Sequence, residues 1–209
     1  MNNFWNSYGA EILQRTGEHL LLVVISTGVA VLIGLPLGIA IARKPRLSPW
    51  LLGFTNIVQT IPSLALFGLL IPLPLLGGIG TRTATIALIL YALLPIVRNT
   101  YLGITGVDTA VIEAALGMGM TSWQRLVRVE LPLALSAILA GIRTATVIGV
   151  GVATIAAAIG AGGLGVFIFR GVAVVDHGLI LAGAVPAAGM AIALDAALAW
   201  LEHRLHIRS

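Results

Sequence analysis

The sequence contains no cysteine. Disulfides, thiolate metal sites and cysteine nucleophiles are therefore excluded, while the compartment is left open. Charge is scarce as well. Only 10% of the 209 residues are Asp, Glu, Lys or Arg, against about 25% in a soluble domain. Too few charges exist to cover a water-facing surface. Hydrophobic residues make up 58% and the mean hydropathy is +1.04. The expected solvent is the lipid bilayer, and the chain reads as one membrane domain with little room for another. No G-x-x-x-x-G-K-[ST] sequence is present, so the chain is not expected to cradle ATP itself.

Five apolar stretches are long enough, or nearly so, to cross about 30 Å of hydrocarbon as helices. They cover residues 20–42, 50–70, 83–104, 133–159 and 178–201. The second contains Asn56, Gln59 and Pro62, the third Pro95 and Arg98, the fourth Arg143, and the fifth Pro186 and Asp195. Prolines are compatible with such helices because neighbours re-satisfy the freed backbone groups. The expected fold is all-α, a polytopic membrane helix bundle of about five transmembrane helices. No basic n-region or cleavage site flanks the first span, so a cleaved signal peptide is not expected.

The formal net charge is +4 and the pI near 10.3. In a soluble protein that balance points to nucleic acid. In a membrane protein, basic residues instead gather on cytoplasmic loops. If the loop 43–49 is cytoplasmic, that side holds Arg43, Lys44, Arg46, Arg98, Arg125, Arg128, Arg204 and Arg208, and the other side only Arg15, Arg82 and Arg170. The asymmetry predicts an outside N-terminus, a cytoplasmic C-terminus and no nucleic-acid partner.

Residues 1–19 form an N-terminal extracytoplasmic segment in this reading. Phe4, Tyr8 and Ile12 are four apart, with Trp5 beside Phe4. That spacing suits a short helix on the outer interface; a loosely ordered tail is the alternative. Residues 20–201 form the transmembrane domain, and 202–209 a cytoplasmic tail.

The longest polar interruption between spans, residues 105–132, contains TGVDTAVIEAALGMGMTSWQRLVRVELP. Asp108 or Thr109 can cap a short helix through Leu116. Gly117 and Gly119 then break it. Thr121 with Gln124 forms a capping box for a second helix, which Pro132 is expected to kink or end. A helix–break–helix of small, apolar and charged residues suits docking into a groove on another protein. An amphipathic connector on the bilayer surface fits the same pattern.

This segment resembles the EAA loop of ABC importer permeases: Glu113, Ala114 and Ala115, then Gly119, then Val129, Leu131 and Pro132. Spacing is kept throughout, with Val129 where the family has Ile. Three further stretches, NIVQTIPSLALFGLL (56–70), LYALLPIVRNTYLGI (90–104) and IGAGGLG (159–165), resemble permeases of the osmoprotectant branch. The resemblance implies the type I ABC importer permease fold. It implies a loop, with Gly117 beside Gly119, that docks on a partner ATP-binding subunit, where small Ala and Gly permit close approach and Glu113 offers a charge or cap. It further implies two copies of that ATPase, a second permease copy or paralogue, and a quaternary-amine osmoprotectant such as glycine betaine, choline or carnitine. ATP and Mg would be bound by the partner, leaving this chain without cofactor or covalent chemistry. A quaternary ammonium is best held by an aromatic cage, yet the 12 aromatics (Phe 5, Trp 4, Tyr 3) gather near span ends. Nothing after Ser209 offers a fused receptor, so a separate extracytoplasmic binding protein is expected.

Other readings compete less well. Gly160, Gly162 and Gly165 fit GxGxxG, but an Ala-rich transmembrane helix precedes them where a dinucleotide site needs a strand. A close-packed turn is expected there instead. His203 and His206 beside Glu202 lack further ligands for a metal. A different small solute, such as an amino acid or another trimethylated amine, is an alternative cargo. A secondary transporter would show internal repeats, and a membrane hydrolase would need a nucleophile–base pair within the spans.

Arg143 and Asp195 stand apart, because an ionisable group inside a span is costly. At 1.5 Å per residue, Arg143 lies roughly 16 Å above Pro132 and Asp195 roughly 9 Å from Leu201. A long arginine can bridge the remaining 7 Å or so. The two form a structural pair that fixes helix register, or Arg143 lines the pathway and meets a betaine carboxylate.

Overall fold

A computed structural model describes residues 2–73 and 77–206, with side chains over 8–73 and 77–205. Phe4, Trp5, His206 and Arg208 of the sequence reading lie outside the described side chains. The described chain is helical: α1 (Asn2–Arg43), α2 (Ser48–Thr60), α3 (Ser63–Leu70), α4 (Thr81–Thr105), α5 (Thr109–Gly117), α6 (Ser122–Arg125), α7 (Leu131–Ala156), α8 (Gly165–Val174) and α9 (His177–His206). Four helices are long and apolar enough to span a bilayer, and the bent α2–α3 pair makes a fifth. This all-α membrane bundle agrees with the sequence reading in class and span count.

Helix α4 sits at the centre and packs against α1, α2, α3 and α7. Its buried side chains include Leu88, Tyr91, Ile96 and Val97. Helix α1 approaches it through Gly34 and Gly38, where added Cβ atoms would lie 2.8 Å from Ile96 Cγ2 and 2.5 Å from Thr100 Cβ. Glycines four apart let helix backbones close in where lipid supplies no hydrophobic drive. Buried hydroxyls bond back to their own helices: Ser26 Oγ to the Leu22 carbonyl at 2.6 Å and Thr100 Oγ1 to the Ile96 carbonyl at 2.7 Å. These two hydroxyls satisfy themselves within their own helices.

Three features differ from the sequence reading. The N-terminal segment is not a separate helix, because α1 runs unbroken from residue 2 to Arg43. Its Tyr8–Ile12 face packs on protein: Tyr8 meets Phe167 of α8 edge-on at 6.1 Å, and Ile12 joins Phe167, Leu179 and Ala182 in a small core. The second span is broken, since α2 and α3 meet at 102°. Pro62 forces the preceding Ile61 into extended backbone (φ −72°, ψ 125°). The Ile61 carbonyl accepts from Tyr91 Oη, and Gln59 Nε2 donates to the Tyr91 carbonyl at 3.0 Å. The break is thus paid in hydrogen bonds from α4.

Third, Pro132 neither ends nor sharply kinks its helix. A π-helical turn, Leu126–Glu130, joins α6 to α7 in one run, Ser122–Ile159. The Leu131 N–H reaches back five residues to the Leu126 carbonyl. That wider turn makes room for the proline ring, which would clash with a carbonyl four residues back. Helix α8, not foreseen, follows the glycine turn at 160–163 and lies along α9.

Candidate functional site: a capped helix between spans and an ion-pair network

Helix α5 starts at Asp108, whose Oδ1 accepts from the Ala110 N–H at 2.9 Å. It closes with the Gly119 N–H on the Leu116 carbonyl (2.9 Å) and the Met120 N–H on the Ala115 carbonyl (3.1 Å). These two bonds form a Schellman motif, which needs a left-handed residue; Gly119 supplies it with φ 73°. Thr121 and Gln124 then cap α6 reciprocally, at 2.9 and 3.3 Å. Both the cap and the break expected from the sequence are present, so the two ends of α5 are fixed by local bonds.

The motif positions fall into two groups. Glu113, Ala114, Gly117 and Gly119 are exposed, while Ala115 is buried and anchors α5. Beside them Met118 (69%) and Trp123 (71%) stand open. Val129, Leu131 and Pro132 are half-buried on the π-turn and the first turn of α7. Leu131 packs with Ile104, Leu126, Ala134 and Ile138. The first group offers a surface, and the second fixes the base it stands on.

Sequence reasoning missed the residue that ties this base to the bundle. Glu130, its side chain only 4% exposed, bonds Arg125 Nε at 2.8 Å and Arg43 at the end of α1. One carboxylate thus links α1, α6 and the π-turn.

Midway along α7, Arg143 meets Asp195 of α9 through Nε–Oδ1 (2.9 Å) and Nη2–Oδ2 (3.0 Å). Its Nη1 also donates to Glu202 Oε2 at 3.1 Å, and Ser136 Oγ donates to Glu202 Oε1 at 2.6 Å. The sequence reading had placed Glu202 in the tail. A signal was available: Ser136 and Arg143 are seven apart on α7, as are Asp195 and Glu202 on α9. Seven residues is two turns, hence one face.

At the opposite end, α1 holds the glycine turn. Glu18 Oε2 accepts from the Gly163 N–H at 3.0 Å, and His19 Nδ1 from the Leu164 N–H at 3.3 Å. The buried His19 ring also places Nε2 3.1 Å from the Val150 carbonyl. Accepting at Nδ1 leaves the proton on Nε2 for that carbonyl.

Membrane-length helices, with an exposed and rigidly capped helix between two of them, are the architecture of a membrane transport permease. The chain belongs to the family of inner-membrane components of binding-protein-dependent transport systems, whose description matches residues 34–207. Its relatives narrow the branch. It is 46% identical over 205 residues to the carnitine transport permease protein OpuCD of Listeria monocytogenes, covering 98% of this chain and 91% of that one. It is 46% identical over 206 residues to the glycine betaine/carnitine/choline transport system permease protein OpuCD of Bacillus subtilis, covering 98% and 89%. It is 48% identical over 194 residues to the osmoprotectant import permease protein OsmW of Salmonella typhimurium, covering 92% and 88%. An inward-facing structure of the MetNI methionine ABC transporter shares the fold: TM-score 0.83, 24% identity, 93% of this chain and 96% of that one.

Proposed function

We propose that this chain is the permease of an ABC importer for quaternary-amine osmoprotectants of the glycine betaine, choline and carnitine class. The observation that carries the reading is the likeness over nearly the whole chain to permeases with those cargoes. The exposed face of α5 supports the energetic half of it. Small Ala114, Gly117 and Gly119 let a partner backbone approach, and Met118 and Trp123 supply apolar anchor area. Two ATP-binding subunits dock there, one per permease, and bind the ATP and Mg. A second copy or a paralogue completes the pathway, and an extracytoplasmic binding protein delivers the solute. The N-terminus is outside and the C-terminus cytoplasmic, as the basic asymmetry indicates.

Reconstitution with the partner ATPase and binding protein tests this. ATP-dependent uptake of glycine betaine, choline or carnitine into proteoliposomes is expected. Uptake of an amino acid instead, or uptake without ATP, would replace the reading. Gly119→Asp should abolish co-purification of the ATPase while the permease still inserts; unchanged complex yield and transport would remove the docking role from α5.

A further inference from the structure

A cavity of about 400 Å³ opens between the N-terminal part of α1, the first turns of α4 and the glycine turn. Arg15, Glu18, Thr81 and Thr85 line one part of it, and Leu21, Leu22 and Ile25 another. The cavity straddles the point where both helices turn apolar. Glu18 is the last Asp, Glu, Lys or Arg of α1 before Arg43, and Arg82 the last of α4 before Arg98. From Arg15 to Ile25 is about 15 Å along α1. Over that distance the lining passes from a guanidinium to bare hydrocarbon, as a lipid does from headgroup to tail.

The apolar part continues beyond the cavity. Leu21, Ile25 and Leu32 are four and seven residues apart, hence on one face of α1. They are 61%, 47% and 75% exposed. Leu21 to Leu32 covers about 16 Å, close to the depth of one leaflet in a hydrocarbon core about 30 Å thick. One acyl chain matches the length of that face.

Arg15 is held in place and still has donors to give. Among the described residues its one hydrogen bond runs from Nη1 to Glu18 Oε2, at 2.9 Å. Glu18 is itself fixed by Gln14 Nε2 (2.9 Å) and the Gly163 N–H (3.0 Å). Glu11 Oε1 lies 3.8 Å from Arg15 Nε, too far for a hydrogen bond, and Glu11 is bonded to Arg170 instead. Of the five guanidinium N–H groups, three on the terminal nitrogens are left. Paired N–H groups of a guanidinium match two oxygens of a phosphodiester.

We infer that this cavity and the face of α1 that continues it hold one phospholipid. Its phosphate meets Arg15, with the Thr81 hydroxyl as a further donor, and one acyl chain lies along Leu21, Ile25 and Leu32. A water-soluble anion would leave the apolar part uncovered, and a hydrocarbon without a phosphate would leave the guanidinium unmet. The site depends neither on the cargo nor on which side of the membrane this leaflet faces.

The permease–ATPase complex is purified in detergent, stripped of lipid and titrated with dioleoyl phosphatidylethanolamine. Lipid on the permease is counted by native mass spectrometry. One lipid per permease should bind more tightly than the rest. Arg15→Gln should weaken that first binding about tenfold or more, and Arg15→Lys by less. Thr85→Phe fills the cavity without touching the Arg15–Glu18 bond; it should weaken binding too, and serves if Arg15→Gln does not assemble. Lys44→Gln, exposed just beyond the far end of α1, should leave binding unchanged. Neither dioleoylglycerol, which has the tails without the phosphate, nor inorganic phosphate should displace the lipid. Displacement by inorganic phosphate would make this a site for a free anion, and displacement by dioleoylglycerol an apolar groove; either overturns the inference. So would equal affinity in the native, Arg15→Gln and Thr85→Phe complexes, or a disulfide between two Ile25→Cys copies, which would place a second copy of the chain on this face. Uptake by the native complex bears on the proposed cargo alone.

Discussion

Arg143 and Asp195 face each other across α7 and α9 through two parallel hydrogen bonds, of 2.9 and 3.0 Å. This bidentate geometry is available to a guanidinium and not to an ammonium. Glu202 takes a third bond from the same side chain. Arg143→Ala is expected to lower the melting temperature of the detergent-solubilised permease by several degrees, and Arg143→Lys to recover only part of it. Exchanging Arg143 and Asp195 should restore less than the native value, since Glu202 keeps its place. Melting curves of the four proteins check this; an unchanged midpoint for Arg143→Ala would refute the structural role.

Glu130 should matter more than the exposed carboxylate Glu113 of α5. Breaking a buried ion pair from one side leaves the partner charges uncompensated, a loss on the order of 3 kcal/mol. Glu130→Ala is expected to approach that loss. The exposed Glu113→Ala should cost at most a few tenths of a kcal/mol in the isolated permease. Chemical denaturation of the two variants in mild detergent separates them, and equal stabilities would contradict the clamp.

Close approach, rather than flexibility, explains Gly165. A Cβ there would lie 1.9 Å from the Thr154 carbonyl oxygen, whereas one at Gly189 meets nothing within 4 Å. Gly165→Ala should destabilise by about 1–3 kcal/mol through backbone displacement. Gly189→Ala on the exposed side of α9 should be neutral or stabilise by up to about 1 kcal/mol. The pair is read by thermal unfolding; comparable shifts would contradict the tight α7–α8 corner.

Topology can be read with single cysteines. Ser48 is only 8% exposed, so a thiol there would stay silent for steric reasons. Leu47, on the same loop and 50% exposed, is the sounder reporter. An impermeant thiol reagent on intact cells should label Thr81→Cys and spare Leu47→Cys until the cells are opened. The reverse pattern would invert the orientation.

Local features were legible in the sequence. The Asp108 cap, the Gly119 break and the Thr121–Gln124 box involve residues within a few positions of one another, so spacing sufficed to find them. Membrane spans were legible from apolar length, though Pro62 inside one such run concealed a 102° bend. That bend depends on Tyr91, 30 residues away, whose hydroxyl donates to the freed Ile61 carbonyl. Glu130 was invisible for a similar reason. One of its partners, Arg43, lies 87 residues away, and no periodicity links them. Arg143 drew notice because charge is rare in a span, but its second carboxylate lay beyond the expected end of the last helix. The continuity of α1 was missed because Glu18 and His19 look like a polar boundary, and only the turn at Gly163 and Leu164 reveals what they bond.

That continuity makes α1 a lever arm. Its C-terminal end is pinned by Arg43 to Glu130, and its N-terminal part by Glu18 and His19 to the glycine turn. From Glu18 to Arg43 the helix measures about 37 Å. A tilt of about five degrees around the Arg43 pin sweeps Glu18 through about 3 Å, comparable to the length of a hydrogen bond. The helix is continuous between the two pins, with Pro36 lying between them, so motion imposed at one pin is carried along α1 to the other.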